Sequence, residues 1–312
     1  MSSSISSSKR LLLCASWIGS LALCVWLAGL ALSFAVQRLD YSEPKLLESL
    51  TFRNKPLDIV FLGNSLTLEG VSPQAIDSKL GTSSYNFALG GASLLESEFQ
   101  LRHYLAGNPP PKLVALGVYL DASERYTGIS PALYYQLSPA LRTLYWSESQ
   151  TLEQQGFDRS FVLLNRLPAY RYRAVIDLII KWLVTREDTR PRFVLGQAQA
   201  SFSRGTIDPG LPRRAAFPLN ELQSFLAFCR ERSIRVLVFE PPISPGEREL
   251  ISNRQEIVEQ VTRLLAAAPG ASFVSFADLG ATYNRDDWVN LDHLNVRGAA
   301  KFSDRLAESL LK

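Results

Sequence analysis

A serine that closes an apolar run and a histidine near the other end of the chain have the residue types needed for nucleophilic chemistry. The run Leu57-Asp58-Ile59-Val60-Phe61-Leu62 stops abruptly at Gly63-Asn64-Ser65. A serine at the carboxyl end of a buried strand sits where ligands dock on open α/β sheets. Gly63 permits a sharp turn that a side chain would block. A hydroxyl in that position becomes a nucleophile when a base reaches it. Gly-x-Ser after a strand is also ordinary turn chemistry, so the base decides between the two readings. The chain has 2 histidines, His103 and His293. His103 lies beside Leu101 and Tyr104 in a helical pattern and reads as structural. His293 follows the last apolar run and precedes a terminal helical pattern of Ala299, Phe302, Leu306 and Leu310. Loops off the first and last strands of a parallel sheet leave by the same edge, which brings His293 to Ser65.

A second piece fits the same chemistry. Tyr85-Asn86-Phe87-Ala88-Leu89-Gly90-Gly91-Ala92-Ser93 reads as a strand turning through paired glycines into a helix. Glycines let backbone N–H groups approach a ligand closely, and a helix start favours developing negative charge. A tight turn that needs positive φ accounts for the same glycines without any ligand.

The elements that must hold these residues alternate. Apolar runs at Leu57–Leu62, Ser84–Phe87, Lys112–Gly117, Ile234–Phe239 and Ser272–Phe276 read as strands, each bounded by Gly, Pro or Asn. Helical patterns at Ala92–Ala106, Asn220–Arg232 and Asn253–Ala268 lie between them, and another follows Ser65 at about Pro73 to Leu80. This rhythm predicts an α/β fold, a three-layer α/β/α domain on a five-stranded parallel sheet. The interval 121–216 breaks the rhythm between the third and fourth strands. It is rich in aromatics, among them Tyr134, Tyr135, Trp146 and Trp182, and includes a helical pattern at Ala174–Val184. It is expected to be a helical insertion, either with its own small core or serving as a lid over the site. Its arginines, Arg171, Arg173, Arg186, Arg190 and Arg192, suit a solvated helix face better than an anion site.

Composition narrows the class. A 46% hydrophobic, 20% charged chain is globular with a sizeable core. A net charge of +3, with no basic block interleaved with aromatics, gives no case for nucleic acid. Cys14, Cys24 and Cys229 lack CxxC spacing, so neither a disulfide framework nor a zinc site is expected. The segment 11–36 carries no charged residue and exceeds the ~20 residues needed to span a bilayer core. It is longer than the core of a cleaved signal peptide. Lys9 and Arg10 before it place residues 1–10 in the cytoplasm, with the rest of the chain outside. Residues 37–54 read as a tether, and the domain runs over 55–312. Cleavage after Ala35 and a buried helix of a soluble domain are the competing readings of the segment.

Taken together, these residues resemble the SGNH (GDSL-like) hydrolase superfamily. Gly63-Asn64-Ser65-Leu66-Thr67 is similar to the family's first block, with Asn64 in place of an aspartate. Gly91 matches the second block's glycine, and His293, in His-Leu-Asn-x-x-Gly-Ala, matches the last. The resemblance implies a flavodoxin-like sheet with Ser65 as nucleophile and His293 as base. It also implies the Ser65 and Gly91 N–H groups as oxyanion donors and no metal or organic cofactor. Leu120 stands where the family's third block has an oxyanion-donating asparagine. Asn290 stands where the final block has an aspartate three residues before the histidine. An amide there can still orient the imidazole. The carboxylate stays open between Asp287 and Asp292, although Asp292, adjacent to His293, is expected to point elsewhere.

The expectation is a single-pass inner-membrane protein with a periplasmic serine esterase or O-acyltransferase domain. Its substrate would be an acylated envelope glycan or lipid, with envelope-complex proteins as further partners. The rival reading, favoured by Leu120 and Asn290, is a non-catalytic envelope protein of the same fold that binds a glycan or a partner protein.

Overall fold

The computed structural model describes residues 7–36, 52–120 and 212–311, with two short strands at Arg192–Val194 and Gln197–Gln199. The chain divides into two compact units, Met1–Asp40 with Trp146–Thr189, and Tyr41–Tyr145 with Arg190–Lys312. In the first unit the described element is α1, Ser7–Val36. Its stretch Leu12–Ala31 is long and apolar enough to cross a membrane, and nearly every side chain in it is exposed. The Ala174–Val184 pattern, the aromatic cluster and, apart from Arg192, the arginines between 121 and 211, together with most of the tether, lie outside the described residues.

The second unit is built on five parallel strands: β1 (Ile59–Leu62), β2 (Ser84–Asn86), β3 (Leu113–Gly117), β6 (Arg235–Glu240) and β7 (Ala271–Ser275). Their order across the sheet is β2-β1-β3-β6-β7. The two strands at Arg192–Val194 (β4) and Gln197–Gln199 (β5) pair with each other as an antiparallel hairpin. Every residue of β1 and β3 is buried, as expected for parallel strands covered on both faces.

Alternation assigns each strand residue to one of two cores. Val60 and Leu62, with Val114, Leu116, Val236 and Val238, pack beneath α4 (Leu94–Leu105), α5 (Leu219–Arg230) and α7 (Arg254–Ala266). Ile59 and Phe61, with Leu113, Ala115, Leu237 and Phe239, face the other way. They meet Ile76 of α3 (Pro73–Leu80) and Phe302 and Leu306 of α8 (Val296–Leu310). Each fully buried side chain of this kind stabilises the fold by about 1.5–3 kcal/mol relative to exposure. The helix starts follow from sequence. Ser72 caps α3 with Pro73 in its first turn, Ser93 and Glu96 form a reciprocal capping box on α4, and Asn295 caps α8.

Two short helices lay below the resolution of sequence pattern. The first is α2, Ser65–Gly70, which starts at the serine itself. The second is α6, Pro245–Arg248, after β6. The β4–β5 hairpin falls inside the interval expected to be helical; its β5 strand runs beside α2.

The order of the sheet decides where a ligand can bind. Connections from β1 lead outward to β2 on one side, while β3 begins the run to β6 and β7 on the other. The crevice at the carboxyl ends of β1 and β3 is therefore the topological switch point. Ser65 follows β1, and Tyr119 lies just past β3.

Candidate functional site

Ser65 is the first residue of α2. Asn64 caps that helix, its Oδ1 accepting from the Leu66 N–H at 3.1 Å. Asparagine caps as well as aspartate, so Asn64 keeps the turn that an aspartate would make. Gly63 holds φ at +139°, and a Cβ there would lie 2.5 Å from Thr67 Oγ1 and 2.6 Å from the Gly117 carbonyl oxygen. Gly117 is tighter still: its Cβ would lie 1.9 Å from Thr67 Oγ1. Thr67, fully buried, is wedged between the two glycines, and its hydroxyl has no hydrogen-bond partner among the described residues. The serine turn is thus pressed directly onto the end of β3.

Three hydrogen bonds from β2 and the loop after it fix the turn from the other side. The Leu89 N–H donates to the Gly63 carbonyl at 3.1 Å. Buried Asn86 donates through Nδ2 to the Thr67 and Val71 carbonyls at 2.9 and 3.1 Å, and its Oδ1 accepts from the Ala88 N–H. Sequence reasoning passed over Asn86. Its signal was an amide at the end of an apolar strand, where a polar group survives burial only when bonded. Gly91 holds φ at +70° in a turn closed by the Ala92 N–H donating to the Leu89 carbonyl. Among the described residues, neither the Ser65 nor the Gly91 N–H donates to a protein acceptor.

The histidine arrives from the far end of the chain. His293 Nε2 lies 2.8 Å from Ser65 Oγ. Its Nδ1 faces two oxygens, Asp292 Oδ1 at 2.6 Å and Asn290 Oδ1 at 3.1 Å. The Asn290 oxygen also accepts from the Asp292 and His293 N–H groups at 3.1 and 2.8 Å, which fixes its orientation. Both neighbours of Nδ1 are acceptors, so the ring proton resides on Nδ1, and Nε2 presents its lone pair to the serine.

The expectation that Asp292 points elsewhere is corrected: the Asx turn at Asn290 folds its carboxylate back onto the imidazole. Asp287 lies apart from that contact. Fully buried, it accepts from Lys301 Nζ at 2.6 Å and from the Asn284 N–H at 2.9 Å. Burial pushes its carboxyl up, but Lys301, the Asn284 N–H and Arg297 outweigh burial and the net shift is downward. It anchors the loop to α8 rather than orienting the histidine. His103 is buried within α4, as its helical setting suggests.

Leu120 is fully buried in the core beneath α4 and α5 and presents no donor at the rim. Among the described residues, no group of three or more His, Cys, Asp or Glu could hold a metal ion. Glu96, in the capping box behind the Gly91 turn, is buried with Oε1 unpartnered among the described residues, and burial pushes its carboxyl up to about 8.

No family model and no curated protein matches the sequence. Solved structures do. A Streptococcus pneumonia protein provisionally described as a platelet activating factor matches at 11% identity over 98% of this chain and 100% of its own, with a TM-score of 0.45. A GDSL-like lipase from Bacteroides thetaiotaomicron matches at 12% identity over 87% and 98%, with a TM-score of 0.39. An acetyl-xylooligosaccharide esterase from Geobacillus matches at 12% identity over 83% and 95%, with a TM-score of 0.38.

Proposed function

We propose that this chain is an SGNH-type serine esterase or O-acyltransferase anchored by α1 in the inner membrane, with its α/β unit outside the cytoplasm. The observation that carries the reading is the 2.8 Å contact between Ser65 Oγ and His293 Nε2. Nucleophile and base lie within hydrogen-bond reach, with a third group orienting the base.

In the first half-reaction Ser65 Oγ attacks the ester carbonyl carbon and its proton passes to Nε2. The imidazolium is stabilised by the Asp292 carboxylate at Nδ1, and Asn290 holds the loop that presents both. The tetrahedral oxyanion is received by the unpartnered N–H groups of Ser65 and Gly91. The carbon–oxygen bond of the leaving alcohol then breaks, and His293 returns the proton to the departing alkoxide. An acyl-serine remains. In the second half water, or a hydroxyl of an acceptor, gives its proton to Nε2 and attacks the acyl carbon; the bond from that carbon to Ser65 Oγ then breaks, and His293 returns the proton to Oγ. A tether near the membrane face raises the effective concentration of envelope glycan or lipid esters, which supports that substrate class.

A serine-reactive fluorophosphonate tests this with the full chain in detergent. Covalent labelling of the wild type, lost in Ser65→Ala, is the expected result. A wild type that resists labelling, or labelling that persists in Ser65→Ala, overturns the assignment. The non-catalytic alternative finds its support in Leu120, which supplies no third oxyanion donor; glycan binding by an unlabelled wild type would favour it.

A further inference from the structure

We infer that Tyr119 and Glu247 form a subsite for the alcohol part of the substrate, recognising neighbouring hydroxyls of a polyol ester. This rests on the esterase reading above. Gly117 ends β3 with its missing Cβ aimed at Thr67 and the Phe239 ring, which places it on the face shared with α2 and α8. The Val118 N–H continues the ladder by donating to the Phe239 carbonyl at 2.8 Å. Side chains alternate along such a chain. Val118 and Leu120 turn into the opposite core, and Tyr119 between them falls on the serine's side of the sheet, past its edge. Tyr119 is only partly buried.

Its hydroxyl donates to Glu247 Oε1, from α6. The α6 start is tied to the histidine loop, since the Ser244 N–H donates to the Leu291 carbonyl at 3.3 Å. A Cβ on Gly246 would touch Leu291 at 3.8 Å. The phenol–carboxylate pair therefore bridges the β3 and β6 loops on the rim where Ser65 and His293 meet.

The chemistry of the pair defines its ligand. A carboxylate only accepts. The phenol donates its one proton to Glu247, so any further hydrogen bond its oxygen makes is as an acceptor. Glu247 as a whole is buried, at 7% exposure, but its Oε2 has no partner among the described residues and is not sealed from solvent. Among the described residues, this pair offers oxygen acceptors and calls for a ligand rich in donors. The acyl side of an ester carries no O–H. The alcohol side carries them when it is a sugar or a glycerol, and hydrogen bonds to a charged acceptor are the stronger kind.

The test compares wild type, Tyr119→Phe and Glu247→Gln, as full chains in detergent, on four esters: p-nitrophenyl acetate, ethyl acetate, a mono-acetylated methyl glucoside and mono-acetylated glycerol. The expected result is a KM for at least one polyol ester raised ~10-fold or more in Glu247→Gln. Tyr119→Phe should show a smaller rise, and p-nitrophenyl acetate turnover should stay within about twofold in both. Whichever polyol loses more identifies the source, sugar or glycerolipid. An equal fall on all esters makes the pair a brace between loops and overturns the subsite. Unchanged polyol KM values overturn it too. A wild type inert on every ester, with no fluorophosphonate labelling, overturns the esterase reading itself, and the subsite with it.

Discussion

Ser65 Oγ and His293 Nε2 stand 2.8 Å apart although 228 residues separate them in the chain. Ser65→Ala and His293→Ala should each reduce kcat on p-nitrophenyl acetate by ~10³-fold or more, because the two act as a unit. The double variant should be no worse than either single one. Steady-state kinetics on the three variants check this; additive losses would mean that the two residues do not work together.

Asp292 and Asn290 divide the task of holding the imidazole. Asp292→Asn removes the charge that stabilises the imidazolium and should lower kcat ~10²–10⁴-fold with little change in KM. Asn290→Asp keeps an oxygen on both loop N–H groups and should retain most activity. Asn290→Ala loses the Asx turn and should cost activity together with stability, read as a lower melting temperature. Asp287→Asn should lower stability through Lys301 while leaving the kcat of the folded fraction near that of the wild type.

The contact between the serine turn and β3 makes a steric prediction. Gly117→Ala places a methyl group 1.9 Å from Thr67 Oγ1 and 2.9 Å from the Phe239 ring. The expected cost is about 1–3 kcal/mol of overpacking, with a displaced serine and a fall in activity. Thr67→Ala in the same chain removes the nearer clash and sacrifices no hydrogen bond among the described residues. Urea denaturation of the single and double variants should show a coupling of at least ~0.5 kcal/mol in favour of the double.

Glu96 predicts a pH dependence of stability. Burial raises its carboxyl from 4.5 to about 8 in the folded chain. Between those values the folded chain retains a proton that the unfolded chain has released, so stability falls as pH rises through that window. Glu96→Gln removes this dependence. Its melting temperature relative to wild type should climb from pH 4.5 to pH 8.5, by roughly 5 °C. A constant difference across that range would show that Glu96 titrates as an ordinary surface carboxylate.

Much of this was legible in the residues. Continuous burial of Ile59–Leu62 and Leu113–Gly117 leaves a run of apolar types that reads as a covered parallel strand, and the stripes of α5 and α7 show as plainly. The serine turn was visible because glycine is required there. Other features were hidden for physical reasons. The α6 helix, at four residues, is too short to display a period. The direction of Asp292 is decided by an Asx turn that reverses the chain over three residues, which spacing alone does not reveal. Tyr119 reads as one aromatic among many until the pleat assigns it a face and Glu247 a partner.

The terminal helix gives the architecture a consequence in time. Ser303 of α8 closes against the serine's layer, accepting from the Ser72 N–H at 2.8 Å. That helix follows all five strands in the chain, and the imidazole enters with the loop immediately before it. A nascent chain that has already formed β1, β2 and β3 carries the serine without its imidazole, so the proposed nucleophile meets its base only after the segment carrying His293 and α8 has been made and has docked.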